Sequence, residues 1–84
     1  MPRYFFSIEE DGIVLHDECG EICSDPKHAE EQARKAAADM IRHGFSGAKQ
    51  IDRMIVVREE GGAPFVRVRV LTIVEVERLK PPPR

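Results

Sequence analysis

The stretch IDRMIVVREEGGAPFVRVRVLTIVEVERL, from Ile51 to Leu79, constrains the fold more than any other part of the chain. Two runs rich in β-branched residues flank Gly61-Gly62, the pattern of two antiparallel strands joined by a tight turn. A two-residue Gly-Gly loop sets Val57 opposite Val66, Ile55 opposite Val68 and Arg53 opposite Val70. Side chains alternate along a strand, so this register makes one side of the ribbon mostly apolar. The other side carries Met54, Val56 and Arg58 beside Phe65, Arg67, Arg69 and Leu71, an apolar surface studded with arginines.

One segment has helical periodicity. Asp25 can cap a helix, Pro26 suits the first helical position, and a residue before proline is biased away from helix. Beyond this start Ala29, Ala33, Ala36, Ala37, Met40 and Ile41 recur at helical spacing, with Glu30, Glu31, Arg34, Lys35 and Asp39 mainly on the other side. Arg42 and His43 complement the negative end of the helix, and Gly44 suits its termination. The small alanines predict a close approach of helix to sheet.

Upstream, Arg3 to Glu9 reads as a strand with Tyr4, Phe6 and Ile8 on one face and Arg3, Phe5 and Ser7 on the other. Asp11-Gly12 supplies a hairpin turn into Ile13 to His16, and Glu21 to Cys23 is a short extended piece before the helix. Phe45 to Gln50 connects the helix to the second strand pair. The expected fold is therefore α+β: one predominantly antiparallel four-stranded sheet with a single helix on one face, in the order β-β-α-β-β. Residues 1–79 form one domain and 80–84 a proline-rich tail that cannot continue a ladder.

Two features imply association. A chain of 84 residues removes only ~60 to 65% of its unfolded surface from water, so a partner subunit would help. Pro64 to Leu79 as one strand also reaches on the order of 50 Å, well past its partner, leaving Ile73, Val74 and Val76 to be bent away, covered or paired. A homodimer built on this strand and the arginine-bearing face is the expectation, with Met54, Val56, Arg58, Phe65, Arg67, Arg69, Leu71 and Ile73 as the partner-binding residues.

The opening Met1-Pro2-Arg3-Tyr4-Phe5-Phe6, then Asp17-Glu18 with Gly20, then an alanine-rich helix after Ser24-Asp25, resembles a family of short bacterial proteins known only as a domain of unknown function. Ser7 stands where that family often has histidine, and Cys19 and Cys23 fall outside its pattern. The resemblance implies no activity. A looser likeness of architecture, a hairpin, a short extended segment and a helix, is to antitoxin domains of the HicB type, which would imply a protein partner or, through a separate module, DNA.

Candidate chemistry is sparse. His16, Cys19, Cys23 and His28 have the donor atoms of a zinc site, but the tight C-x2-C spacing of a zinc knuckle is absent, so the expectation is no metal and a buried, apolar Cys23. No catalytic pair can be assigned: His16 and Asp17 point to opposite faces of a regular strand, and His28 and His43 lie about 22 Å apart at the helical rise. No enzymatic activity and no cofactor are expected. Arg58, Arg67 and Arg69 beside Phe65 suggest contact with RNA phosphates and a stacked base, but RNA-binding sheets usually present more than one ring. The alternative use of these arginines is to cover apolar sheet and pair with Asp52, Glu59 or Glu75. A net charge of -2 argues against nonspecific nucleic-acid binding. No apolar run is long enough to cross a membrane, no export signal is visible, and the expected location is the cytoplasm, with reduced thiols. The functional expectation is a non-enzymatic protein-interaction module, with nucleic-acid-binding, antitoxin-like and zinc-binding roles as alternatives.

Overall fold

The computed structural model describes residues 1–44 and 50–81. Its elements are β1 (Arg3–Glu10), β2 (Ile13–Leu15), β3 (Glu21–Ile22), α1 (Pro26–Gly44), β4 (Gln50–Glu59) and β5 (Pro64–Ile73). They form one α+β unit with antiparallel pairing throughout, in the strand order β2-β1-β4-β5. The sheet has five strands rather than four, because Glu21 and Ile22 also pair with β1. The connection read over Phe45 to Gln50 lies largely outside the described residues, as do the last residues of the tail.

Local chemistry accounts for the turns. Asp11 and Gly12 both have positive φ, 51° and 77°, the twist that matches a two-residue hairpin loop closed by Glu10 and Ile13. The second loop runs over four residues, 60–63, rather than the two glycines alone, and is held by the Gly62 N–H donating to the Glu59 carbonyl at 2.8 Å, with Gly61 at φ 78°. The β4–β5 register is the expected one: Val57 faces Val66, Ile55 faces Val68 and Arg53 faces Val70. It breaks beyond Val57, where Arg58 pairs with Pro64 and Phe65 becomes the extra residue of a bulge. β5 ends at Ile73 rather than at Leu79, because β4 begins at Gln50, directly opposite Ile73, and offers no backbone partner beyond it.

The helix begins as its sequence predicts, with the Asp25 carboxylate accepting from the His28 N–H at 2.8 Å. α1 packs across β4 and β5. Ala29, Ala33 and Ala37 are buried against Tyr4, Cys23, Ile51, Ile55, Val57 and Val70, with Phe6, Met40, Val66 and Val68 at the margin of the core. Ala36 and Ile41 are exposed, contrary to the helical pattern. A stripe of alanines is narrow, and Ala36 is turned about 100° from Ala37, onto the flank of the helix.

Candidate functional site

The sheet face opposite α1 is a surface that the fold leaves open and that strand alternation organises. Alternation places Met54, Val56 and Arg58 of β4 there, next to Arg67, Arg69, Leu71 and Ile73 of β5 and to Phe5 and Ser7 of β1. Among the described residues no helix or strand lies over it. Leu71 is 49% and Ile73 56% exposed, so the β5 side of the face is open. Val56 is buried in the centre, between Ser7 and Arg67 across the two ladders.

Phe65 is not part of this surface. The bulge turns it to the helix side, where its ring meets the buried ring of Tyr4 edge-on with centroids 5.9 Å apart. Among the described residues the aromatic ring on the open face is Phe5, and the Arg58 guanidinium lies 4.5 Å from its centroid in a cation–π contact. Phe5 was legible from the alternation of β1, but nothing in the sequence joined it to Arg58 before the β1–β4 register was known.

The arginines differ in how they are engaged. Arg69 forms a bidentate pair with Asp52, at 2.8 and 3.0 Å, and that hydrogen-bonded guanidinium holds the Asp52 carboxyl below its ordinary range. Arg53, on the helix side, pairs with Glu10. Arg67 has no ion-pair partner among the described residues. A shallow basin of about 490 Å³ lies where Asp52, Arg69 and Met54 meet Glu9 and Val14, and its central charges neutralise one another. With Phe65 turned away and Arg69 engaged, the RNA-binding pattern read from the sequence loses its stacking ring and one of its three phosphate contacts.

The polar cluster after the first hairpin has a structural task. β2 and β3 both pair with the outer edge of β1, leaving a gap between them at Phe6. The Asp17 carboxylate fills it, accepting from the N–H of Phe6 at 3.1 Å, Cys19 at 3.1 Å and Gly20 at 3.0 Å. Burial alone pushes this carboxyl upward, but the donors from Gly20, Phe6 and Cys19, helped by the charge of Arg58, outweigh it and hold the group below the usual carboxylate range. Gly20 has φ 71°, and a Cβ there would lie 2.9 Å from both the Arg3 Cγ and the Tyr4 carbonyl oxygen. That position admits only glycine on two independent grounds.

His16, Cys19, Cys23 and His28 are not brought together. His16 and Cys19 are exposed, Cys23 is fully buried in the core, and His28 accepts from the Ser24 N–H at 3.1 Å. Burial pushes the Cys23 thiol up, and Glu21 and Asp25 add to the effect, so it is a poor thiolate. Among the described residues no group of three or more His, Cys, Asp or Glu is placed to hold a metal ion. No described helix is long and apolar enough to cross a membrane.

A second apolar zone lies on the helix side, between β2 and the flank of α1. Ile13 and Leu15 of β2 are 65% and 63% exposed and line a groove of about 340 Å³ with Ile8 and Met40. The free edge of β5 is the third open feature. Past Ile73 the chain continues with Val74, Val76 and Leu79 all exposed.

No curated protein and no solved structure is similar to the chain at a significant level. A family model described as "Domain of unknown function (DUF6894)" matches residues 3–72, which takes in the Asp17 bracket, the helix and all strand pairing except that of Ile73, the last residue of β5. On that match the chain belongs to the DUF6894 family.

Proposed function

We propose that the protein is a non-enzymatic interaction module that self-associates through its last strand and the sheet face opposite the helix. The observation that carries this reading is the state of β5. It is an edge strand with Leu71 and Ile73 exposed on the open face, it runs on into an exposed apolar segment, and among the described residues no strand pairs with its outer edge. A free edge ten residues long, with apolar side chains, is a template for strand addition unless something blunts it. Two of its side chains, Arg67 and Arg69, slow adventitious pairing but do not block a partner with matching acidic residues.

Surface recognition is the chemistry that the open face and the edge of β5 offer. Sedimentation velocity of the full chain across the micromolar range tests the reading. A concentration-dependent dimer is expected, and a monomer persisting at high micromolar concentration overturns it. Nucleic acid is the competing class of partner, served by Arg67 and by Arg58 on Phe5. Binding of single-stranded RNA at low salt that disappears with Arg67→Glu would favour it over self-association.

A further inference from the structure

We infer that a second copy of this chain pairs with β5 in one register: antiparallel, with a two-fold axis at Thr72, each copy's segment beyond Ile73 forming the strand that covers the other copy's β5. The inference rests on the self-associating reading above and specifies how the two copies meet.

The exposed segment sets the problem. Val74 to Arg78 follows β5 directly but lacks a ladder partner, since β4 starts opposite Ile73. A ten-residue strand accounts for about 33 Å, whereas the molecule measures 63 Å along its longest axis. The chain past Ile73 therefore projects outward from the sheet. It carries Val74 and Val76, the latter 85% exposed, and Glu75 and Glu77, neither of which has an ion-pair partner among the described residues.

Self-pairing solves this in a single register. In a continuous sheet with the two-fold axis perpendicular to it, facing residues share a face, so the register changes only in steps of two. Centred on Thr72, Arg67 faces Glu77 of the other copy, Arg69 faces Glu75 and Leu71 faces Ile73, all on the open face. On the helix side Val68 faces Val76, Val70 faces Val74, and Thr72 faces itself. Between Arg67 and Glu77 every arginine meets a glutamate and every apolar residue an apolar one, and only beyond that span does Val66 face Arg78. Moving the centre to Leu71 sets Arg69 against Ile73, and moving it to Ile73 sets Glu75 against Leu71. Opposite charges facing across strands stabilise a pair and mismatches do not, so the pattern selects the Thr72 centre.

Three further observations converge on this arrangement. The Thr72 Oγ1 is buried within its own chain without a hydrogen-bond partner among the described residues, and a rotation about χ1 toward the facing threonine of the other copy would supply one. Arg69 already holds Asp52, so Glu75 of the other copy completes a run of alternating charge across three strands. The paired run is also bounded alike at both ends, by the bulge and Pro64 on one side and by Pro81, which cannot donate to a ladder, on the other. Glu75 and Glu77 lie past the residues matched by the family model.

The test uses two variants of the full chain, Arg67→Glu and Glu77→Arg, with sedimentation read for each alone and for their equimolar mixture at low salt. Alone, each variant brings like charges together twice per dimer and is expected to weaken association by on the order of tenfold, an effect that fades with added salt. Mixed, the two variants restore both pairs and are expected to associate as a heterodimer at near wild-type strength. An unfolded variant cannot be rescued in this way, so rescue also certifies the fold. If the wild-type protein dimerises but the single changes leave it unaffected, or mixing restores nothing, the register is wrong while self-association stands. If the wild-type protein is monomeric throughout, the functional reading fails first.

Discussion

At the scale of single residues, the most consequential side chain is Asp17. It bridges the gap left on β1 between β2 and β3, with three backbone donors on one carboxylate. Hydrogen bonds to a charged group contribute about 1.5–3 kcal/mol in mutational series, so Asp17→Ala should lower unfolding stability by about that much in urea titrations at neutral pH. The folded carboxyl titrates below its ordinary value of 3.8. Its stabilisation is therefore complete above that value and lost as pH falls through the folded one, and the gap between wild type and variant should close in acid. A gap that stayed constant into strong acid would show that the neutral side chain serves equally well. Gly20 completes the loop, and Cys19 and His16 stay in solvent because the bracket uses only their backbone or neither part of them.

At the scale of elements, the helix and its sheet approach through alanine. Ala33 is fully buried, whereas Ala36, one turn away on the same helix, is exposed. Ala33→Leu should cost about 1–3 kcal/mol through overpacking, while Ala36→Leu should change stability little, which a pair of thermal melts will separate. Equal effects would mean that the helix seats differently on the sheet. The existence of the helix, its cap at Asp25 and its buried alanines were legible in the sequence because each depends on neighbours a few positions away. Ala36 and Ile41 were misplaced because periodicity gives a stripe but not its width. The bulge at Phe65 was also illegible, since it is decided by how β5 meets β4 and by Tyr4, far away in the chain.

At the scale of the whole molecule, the helix protects one side of the β4–β5 half and leaves a face, a groove and an edge open. β4, between β1 and β5, should hold the slowest-exchanging amides in hydrogen exchange. Under the proposed pairing, the outward amides of β5 and those of Val74 to Arg78 should exchange rapidly in dilute solution and slow as concentration rises. Protection of that segment that did not depend on concentration would contradict the shared sheet. Of the eight residues read from sequence as a partner-binding surface, seven share the face and Phe65 does not.

The sequence by itself determined the order of elements, both hairpins, the helix start and the β4–β5 register, because these follow from local turn chemistry and alternating side chains. Tertiary structure decided the strand order, the recruitment of Glu21–Ile22 as a fifth strand, the role of Asp17 and the end of β5 at Ile73. Each of these depends on which backbone groups find a partner across the sheet, and a strand ends where its neighbour does, whatever its own residues favour.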